Sequence, residues 1–110
     1  MAEVLNTLMD RVSFKAPQTM SGPNVHRLKT EIMDFLKEDP KVVVIDFSGV
    51  DYIDLHGLIL FKDLCEIIKV CGGQTYAYRL NQDVRNLLAE VDMLAEPGRE
   101  QLVEQALIGV

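Results

Sequence analysis

The side chains with the greatest potential for chemistry lie in one segment of the sequence, from Asp46 to Leu58. Asp46 and Asp51 resemble an acid–base pair, because proton transfer in catalysis is commonly carried by two positioned carboxylates. The segment supplies no evident nucleophile or metal site beside them. We therefore expect both carboxylates to organise a turn or to face the solvent, and we expect no catalytic residue, no cofactor and no metal site.

Asp54 is predicted to cap a helix, because it directly precedes a helical pattern and its carboxylate can accept a hydrogen bond from the first turn. The same place attracts ligands and partners, since the carboxyl ends of parallel strands open onto loops and the next helix presents unpaired N–H groups. The amides around His56 and Gly57 would point outward there, a position that also accommodates a phosphate. The segment is therefore the candidate binding site.

Leu55, Leu58 and Ile59 are apolar residues at the start of this helix. If they are exposed they would form a docking surface, and if they pack under the preceding loop they would belong to the core. The pattern favours neither alternative. His56 is predicted mainly as a contact residue of a protein interface; a residue without a special role comes second, and phosphohistidine, metal ligand or general base are minor alternatives. Ser48 is expected to bond the backbone of its turn, with phosphorylation as a minor alternative.

Short periodic patterns predict the elements that position this segment. The β-branched run from Val42 to Phe47 is typical of a central strand buried on both faces of a parallel sheet. Alternation predicts strands at 11–16 and 75–80, with 4–8 as an optional edge strand. The predicted helices run from Pro23 to the stop at Asp39-Pro40, from Leu58 to Cys71, from Asn81 to Val91, and from Pro97-Gly98 through Leu102, Val103, Ala106 and Leu107. This order implies a single α/β domain over residues 1–110, with about four helices layered on the sheet.

Several side chains are assigned to the core of this domain. Phe35 is placed on the apolar face of the first helix, and Tyr76 and Tyr78 share one face of a strand. Cys65 and Cys71 fall in one helix, about 9 Å apart along its axis, which is beyond the reach of a disulfide. Both are therefore predicted to be free thiols that pack as small apolar residues.

Composition excludes several classes of function. The 110-residue chain has 17 acidic and 11 basic side chains and a net charge of −6, which repels nucleic acids and anionic membrane surfaces. No apolar stretch approaches the roughly 20 residues that span a bilayer, and the first residues lack the positive charge of a signal peptide. We expect a cytoplasmic protein that is a monomer in isolation, binds no nucleic acid, does not insert into a membrane and acts through a protein partner.

Residues 42–58 also carry a family pattern. Val42 to Phe47 form an apolar strand that ends in an aspartate and an apolar residue, and Ser48-Gly49-Val50, Tyr52-Ile53-Asp54 and Gly57-Leu58 follow in order. This arrangement resembles the STAS domain family, the fold of anti-sigma-factor antagonists and of the cytoplasmic tails of sulfate transporters. The resemblance implies a small STAS-type fold, with a mixed sheet of four to five strands, and a non-enzymatic role in protein binding.

The sequence departs from the family pattern directly after the motif aspartate. In anti-sigma-factor antagonists, a partner kinase phosphorylates a serine or threonine at this position, which is Leu55 in this chain. His56 replaces the second small hydroxyl residue of the pattern. Because neither side chain offers a hydroxyl, phosphorylation of the usual site is chemically excluded. The chain either stays in the equivalent of the unphosphorylated state or has lost this binding.

The resemblance implies a regulatory module that binds a GHKL-fold anti-sigma factor or serine kinase in a partner-switching circuit. One alternative is the STAS domain of a larger assembly, such as the tail of a sulfate-type transporter, a partner of an ABC-transporter ATPase or a stressosome component. Another alternative is a small-molecule sensor or enzyme that uses the cleft at the strand ends. The residues assigned to partner binding are Asp54, Leu55, His56, Gly57, Leu58, Ile59 and Lys62.

Overall fold

The computed structural model describes residues 11–36, 42–93 and 105–107. The elements in chain order are β1 (Arg11–Lys15), β2 (Thr19–Met20), α1 (Gly22–Phe35), β3 (Val42–Asp46), β4 (Tyr52–Ile53), α2 (Leu55–Val70), β5 (Gln74–Tyr78), α3 (Gln82–Glu90) and β6 (Gln105–Leu107). The optional edge strand at 4–8, the helix stop at Asp39-Pro40 and the turn at Pro97-Gly98 lie outside the described residues.

Within the described part of the chain, four strands form one mixed sheet in the order β1-β3-β5-β6. The strands β1, β3 and β5 are parallel, with Val43 opposite both Val12 and Thr75, whereas β6 runs antiparallel to β5. The short strands β2 and β4 pair separately and in parallel. The prediction of an α/β fold with a mixed sheet is therefore confirmed.

Strand β3 is an interior strand of the sheet, as predicted. Residues 43–45 are all buried, which fits a β-branched run that is covered on both faces. β3 lies between β1 and β5, and it is parallel to both. The ends of the three strands therefore meet at one edge of the sheet, where Asp46 is the register partner of both Lys15 and Tyr78. We call this edge the carboxyl edge.

The helices begin at capped positions and bury one face each. Ser21 caps α1 by accepting a hydrogen bond from the Asn24 N–H at 3.4 Å, and Pro23 lies in the first turn. The Phe61 ring of α2 meets Phe47 edge to face, with centroids 5.6 Å apart. The helical residues that join the same core as the inner face of the sheet are Val25, Leu28, Ile32, Phe61, Leu64, Cys65, Ile68, Val84 and Leu88.

The prediction of a helix through Ala106 and Leu107 is wrong. Both residues belong to β6, where Ala106 pairs with Ala77 and Leu107 pairs with Tyr76. A short apolar run looks the same in a buried strand as in a helix segment, so periodicity alone does not separate the two. The long-range pairing with β5 decides in favour of the strand.

The two faces of β5 are the reverse of the prediction. Thr75 and Ala77 are buried, whereas Tyr76 and Tyr78 are half-buried on the opposite face. The register with β3 places the two small residues beside buried β3 residues, on the side of the sheet that the helices cover. The tyrosines, each with an apolar ring and a polar hydroxyl, suit the partly open face.

Two further residues assigned to the core are exposed. Phe35, the last residue of α1, is 51% exposed, although its ring meets Phe14 edge to face at 5.5 Å. Cys71 is the exposed C-cap residue of α2, while Cys65 is buried, and both are free cysteines as predicted. Burial raises the pKa of the Cys65 thiol to about 12, so this thiol stays protonated in the folded chain.

Candidate functional site

The residues assigned to partner binding lie at the start of α2, on the carboxyl edge; we call them the α2 entrance. They are Asp54, Leu55, His56, Gly57, Leu58, Ile59 and Lys62. Asp54 has extended backbone, and its Oδ1 accepts a hydrogen bond from the Gly57 N–H at 2.6 Å. Asp54 is therefore the helix cap that the sequence predicts, although α2 begins at Leu55, about one turn before the predicted start at Leu58.

The α2 entrance presents large aliphatic side chains to solvent. Leu55 and Ile59 stand one turn apart on the same face of α2, and they are 73% and 53% exposed. Leu58 is half-buried and packs against the core, while Lys62 is exposed. The two alternatives from the sequence therefore apply to different residues: Leu58 packs against the core, whereas Leu55 and Ile59 are exposed.

Tyr52 is an exposed aromatic residue that precedes this pair in the sequence. It belongs to β4, only a few residues before Leu55, and it is 59% exposed. The sequence pattern gave Tyr52 only as part of the family motif and did not assign it to partner binding. Its exposure makes it a further contact candidate, because aromatic side chains are enriched in protein interfaces.

Two glycines let α1 and α2 begin close together. A Cβ added at Gly22, the first residue of α1, would stand 3.0 Å from the His56 imidazole Nδ1. A Cβ added at Gly57 would collide with the carbonyl oxygen of Met20. Gly57 is visible in the family motif, but the sequence gives no local signal that places Gly22 or Met20 at this site.

Hydrogen bonds from distant parts of the chain hold the loop that leads into the α2 entrance. The Gln18 side chain donates to the Asp51 carboxylate, and the Asp51 N–H donates to the Gln18 carbonyl at 2.8 Å. The Asp54 N–H donates to the Met20 carbonyl at 3.3 Å. The Asn81 side chain donates to the Val50 carbonyl at 3.0 Å. Sequence reasoning missed these contacts of Gln18, Met20 and Asn81, because they cross long stretches of chain.

Asp46 is tied to the turn that follows β3. Its Oδ1 accepts a hydrogen bond from the Ser48 N–H at 2.8 Å. Partial burial raises the pKa of Asp46, but the hydrogen bonds from the Ser48 backbone and side chain, together with the charges of Lys15 and Arg79, outweigh it. The net pKa of Asp46 lies below its ordinary value. Asp46 and Asp51 are thus held by different partners, as expected for carboxylates that organise a turn.

A separate shallow groove lies farther along α2. It has a volume of about 310 Å³ and is lined by Asp63, Glu66, Ile67, Val70 and Cys71. It shares no residue with the α2 entrance. Among residues 11–36, 42–93 and 105–107, no three His, Cys, Asp or Glu side chains are grouped to hold a metal ion, and no helix has the length and apolar character needed to cross a membrane.

The mixed sheet, the helices that share its core and the capped helix at its carboxyl edge define a small α/β domain with an exposed apolar surface. The family model of the STAS domain matches residues 4–106. The chain therefore belongs to the STAS domain family, as the motif at residues 42–58 indicates.

A solved structure has the same fold. The chain is similar to the murine anion transporter Solute Carrier 26 family member A9, in its inward-facing state, with 16% sequence identity and a TM-score of 0.62. The match covers 74% of this chain and 14% of the transporter chain. At this identity the likeness shows the fold alone. The comparison with curated proteins gives no match.

Proposed function

We propose that the chain is a non-enzymatic regulatory module that binds a protein partner through the α2 entrance. Membership of the STAS domain family supports this proposal, because STAS domains generally mediate protein interactions and are generally not enzymes. The observation that carries it is the exposure of Leu55 and Ile59, 73% and 53%, at the place where the family motif meets the helix.

The energetics favour a partner with an apolar pocket. Moving the exposed parts of Leu55 and Ile59 out of water would contribute about 1–2 kcal/mol for each side chain. The α2 entrance offers them on a helix whose start is held by the Asp54 cap and by close contact with Met20. A surface that is already ordered loses little entropy on binding, which favours affinity.

The side chain of Leu55 makes the proposed binding independent of phosphorylation. A kinase has no hydroxyl to esterify at position 55 or at His56. The chain would therefore remain in the equivalent of the unphosphorylated state and stay competent to bind. The partner that fits this role is a GHKL-fold anti-sigma factor or serine kinase in the cytoplasm.

The experiment is a calorimetric titration of the full chain against the purified GHKL-fold regulator from the same organism. We expect stoichiometric binding whose affinity is unchanged after the chain is incubated with that regulator and ATP. Absence of binding, or loss of binding after incubation with ATP, would contradict the proposal.

A second candidate function is that of a STAS domain within a larger assembly, such as the tail of a sulfate-type transporter. The likeness of fold to a part of the murine anion transporter favours this candidate. Fractionation of native cells with an antibody against the chain separates the two. A soluble species that elutes with a GHKL-fold regulator supports the first function, whereas a membrane-bound species of much larger mass supports the second.

A further inference from the structure

Asn81 joins the start of α3 to the loop that precedes the α2 entrance. Its Oδ1 accepts a hydrogen bond from the Val84 N–H at 2.8 Å, which caps α3. Its Nδ2 donates to the Val50 carbonyl at 3.0 Å, across 31 residues of sequence. Val50 is the last residue of the Ser48-Gly49-Val50 motif, so one amide group serves both a helix cap and the motif loop.

The backbone before Asn81 is arranged to deliver this side chain to the loop. The Tyr78 carbonyl accepts a hydrogen bond from the Phe47 N–H at 2.7 Å, which fixes the end of β5 beside the end of β3. Arg79 has a φ of 58°, in the left-handed region that few residues other than glycine adopt. The half-buried Leu80 packs against the core. The positive φ of Arg79 is a strained backbone conformation. Strain of this kind persists only where the surrounding contacts hold the residue in place, and it is concentrated at functional sites.

Val50 is held by its side chain and its N–H, and the bond from Asn81 holds its carbonyl as well. The Val50 side chain is 2% exposed, and its N–H donates to the Phe47 carbonyl at 3.0 Å. Beyond Val50, the Asp51 N–H donates to the Gln18 carbonyl and the Asp54 N–H donates to the Met20 carbonyl. These bonds hold residues 51 and 54 from one side, while the Asn81 bond holds Val50, the residue from which this loop leaves the core.

We infer that Asn81 is a positioning residue for partner binding, which acts by holding the Val50 carbonyl and thereby the loop of residues 51–54. Its effect on binding rests on the proposed function. Its effect on the loop rests only on the contacts described above, so the two are tested separately.

The first test is hydrogen exchange, measured by NMR on the full chain. Asn81→Asp keeps an oxygen that caps α3, since Asp and Asn cap equally well, but it removes the N–H donor to Val50. We expect the protection of the Asp51 and Asp54 amides against exchange to fall about twofold to tenfold, which is the factor that corresponds to the loss of one hydrogen bond. The Val84 amide, in the first turn of α3, should keep its protection. Asn81→Ser, which caps the helix but is too short to reach Val50, should give the same pattern.

The matched control is Asn86→Asp, which makes the same change of charge at an exposed position of α3. It should leave the protection of the Asp51 and Asp54 amides as in the parent. Unchanged protection of these amides in Asn81→Asp would overturn the inference. An equal loss of protection at all amides, including core amides such as Ala77, would also overturn it, because it would show a general loss of stability.

The second test is the affinity of Asn81→Asp for the GHKL-fold regulator. We expect the affinity to fall by about the same factor as the protection of the loop amides, because the binding-competent conformation of the loop is populated less often. Lower protection with unchanged affinity would overturn the positioning role even though the parent chain binds. If the parent chain itself does not bind, the proposed function fails, while hydrogen exchange still decides whether Asn81 holds the loop.

Discussion

For Gly57→Ala, helix propensity and the structure predict opposite changes in the free energy of unfolding. Gly57 lies in the first turn of α2, and alanine is a better helix former than glycine by about 0.8–1.0 kcal/mol. Propensity alone therefore predicts a more stable protein. The structure predicts a less stable one, because the new Cβ would collide with the Met20 carbonyl oxygen. That oxygen belongs to the backbone and also accepts a hydrogen bond from the Asp54 N–H, so it cannot move aside without cost.

The expected net effect of Gly57→Ala is a loss of about 1–3 kcal/mol in the free energy of unfolding, the usual cost of overpacking. Gly22→Ala is the matched control. The three atoms nearest to its new Cβ would all belong to the His56 imidazole, the first at 3.0 Å, and this exposed side chain can turn away. We expect Gly22→Ala to stay within about 0.5 kcal/mol of the parent. Urea denaturation followed by circular dichroism measures both variants. A Gly57→Ala protein as stable as the parent would refute the close approach of α2 to β2.

Three further predictions concern the core and the family site. Val44→Ala should lower the free energy of unfolding by about 1–3 kcal/mol, because Val44 is 8% exposed in an interior strand; an unchanged denaturation midpoint would count against this placement. Thr75→Val should raise the free energy of unfolding by up to about 1 kcal/mol, since the buried Thr75 hydroxyl has only the weakly polar Cys65 thiol to bond with, and thermal melting checks it. Changing Leu55 and His56 together to serine should create a site for a cognate serine kinase; mass spectrometry should find phosphate at position 55, and phosphate only on Ser48 would contradict the placement of the site.

Local patterns in the sequence were enough to predict the centre of the fold and the cap of α2. The four consecutive β-branched residues from Val42 to Ile45 are typical of a strand covered on both faces, which is how the structure places them. Asp54 is recognisable because capping needs only a carboxylate just before a helical pattern. The resemblance to the family motif then predicts that Leu55 occupies the usual phosphorylation position.

Features that depend on distant pairing could not be read from local patterns. The register of β5 with β3 decides on which face of the sheet Tyr76 lies. The pairing with β5 decides that Ala106 belongs to a strand rather than to a helix. The hydrogen bonds of Gln18 and Asn81 to the motif loop cross 33 and 31 residues, a separation at which no periodic signal exists. The loop of the candidate site is held largely by such contacts, so its shape becomes visible only in the folded chain.

We propose that Leu55 lies in the middle of a protein interface, and Leu55→Glu is the substitution that tests this placement. A carboxylate near the start of α2 interacts favourably with the helix dipole by about 0.3–1 kcal/mol, so the fold should stay intact. An unpaired charge trapped in an interface costs about 2–5 kcal/mol, which corresponds to roughly a 30-fold to several-thousand-fold loss of affinity. Val70→Glu is the control, because Val70 is 87% exposed at the opposite end of α2, about 22 Å away along the helix axis.

The decisive measurement is a calorimetric titration of the GHKL-fold regulator with the parent chain, Leu55→Glu and Val70→Glu, each first shown by circular dichroism to be folded. We expect equal affinity for the parent and Val70→Glu, and at least a 30-fold weaker affinity for Leu55→Glu. Equal affinity of the parent and Leu55→Glu would show that Leu55 lies outside the interface and would remove the α2 entrance from it.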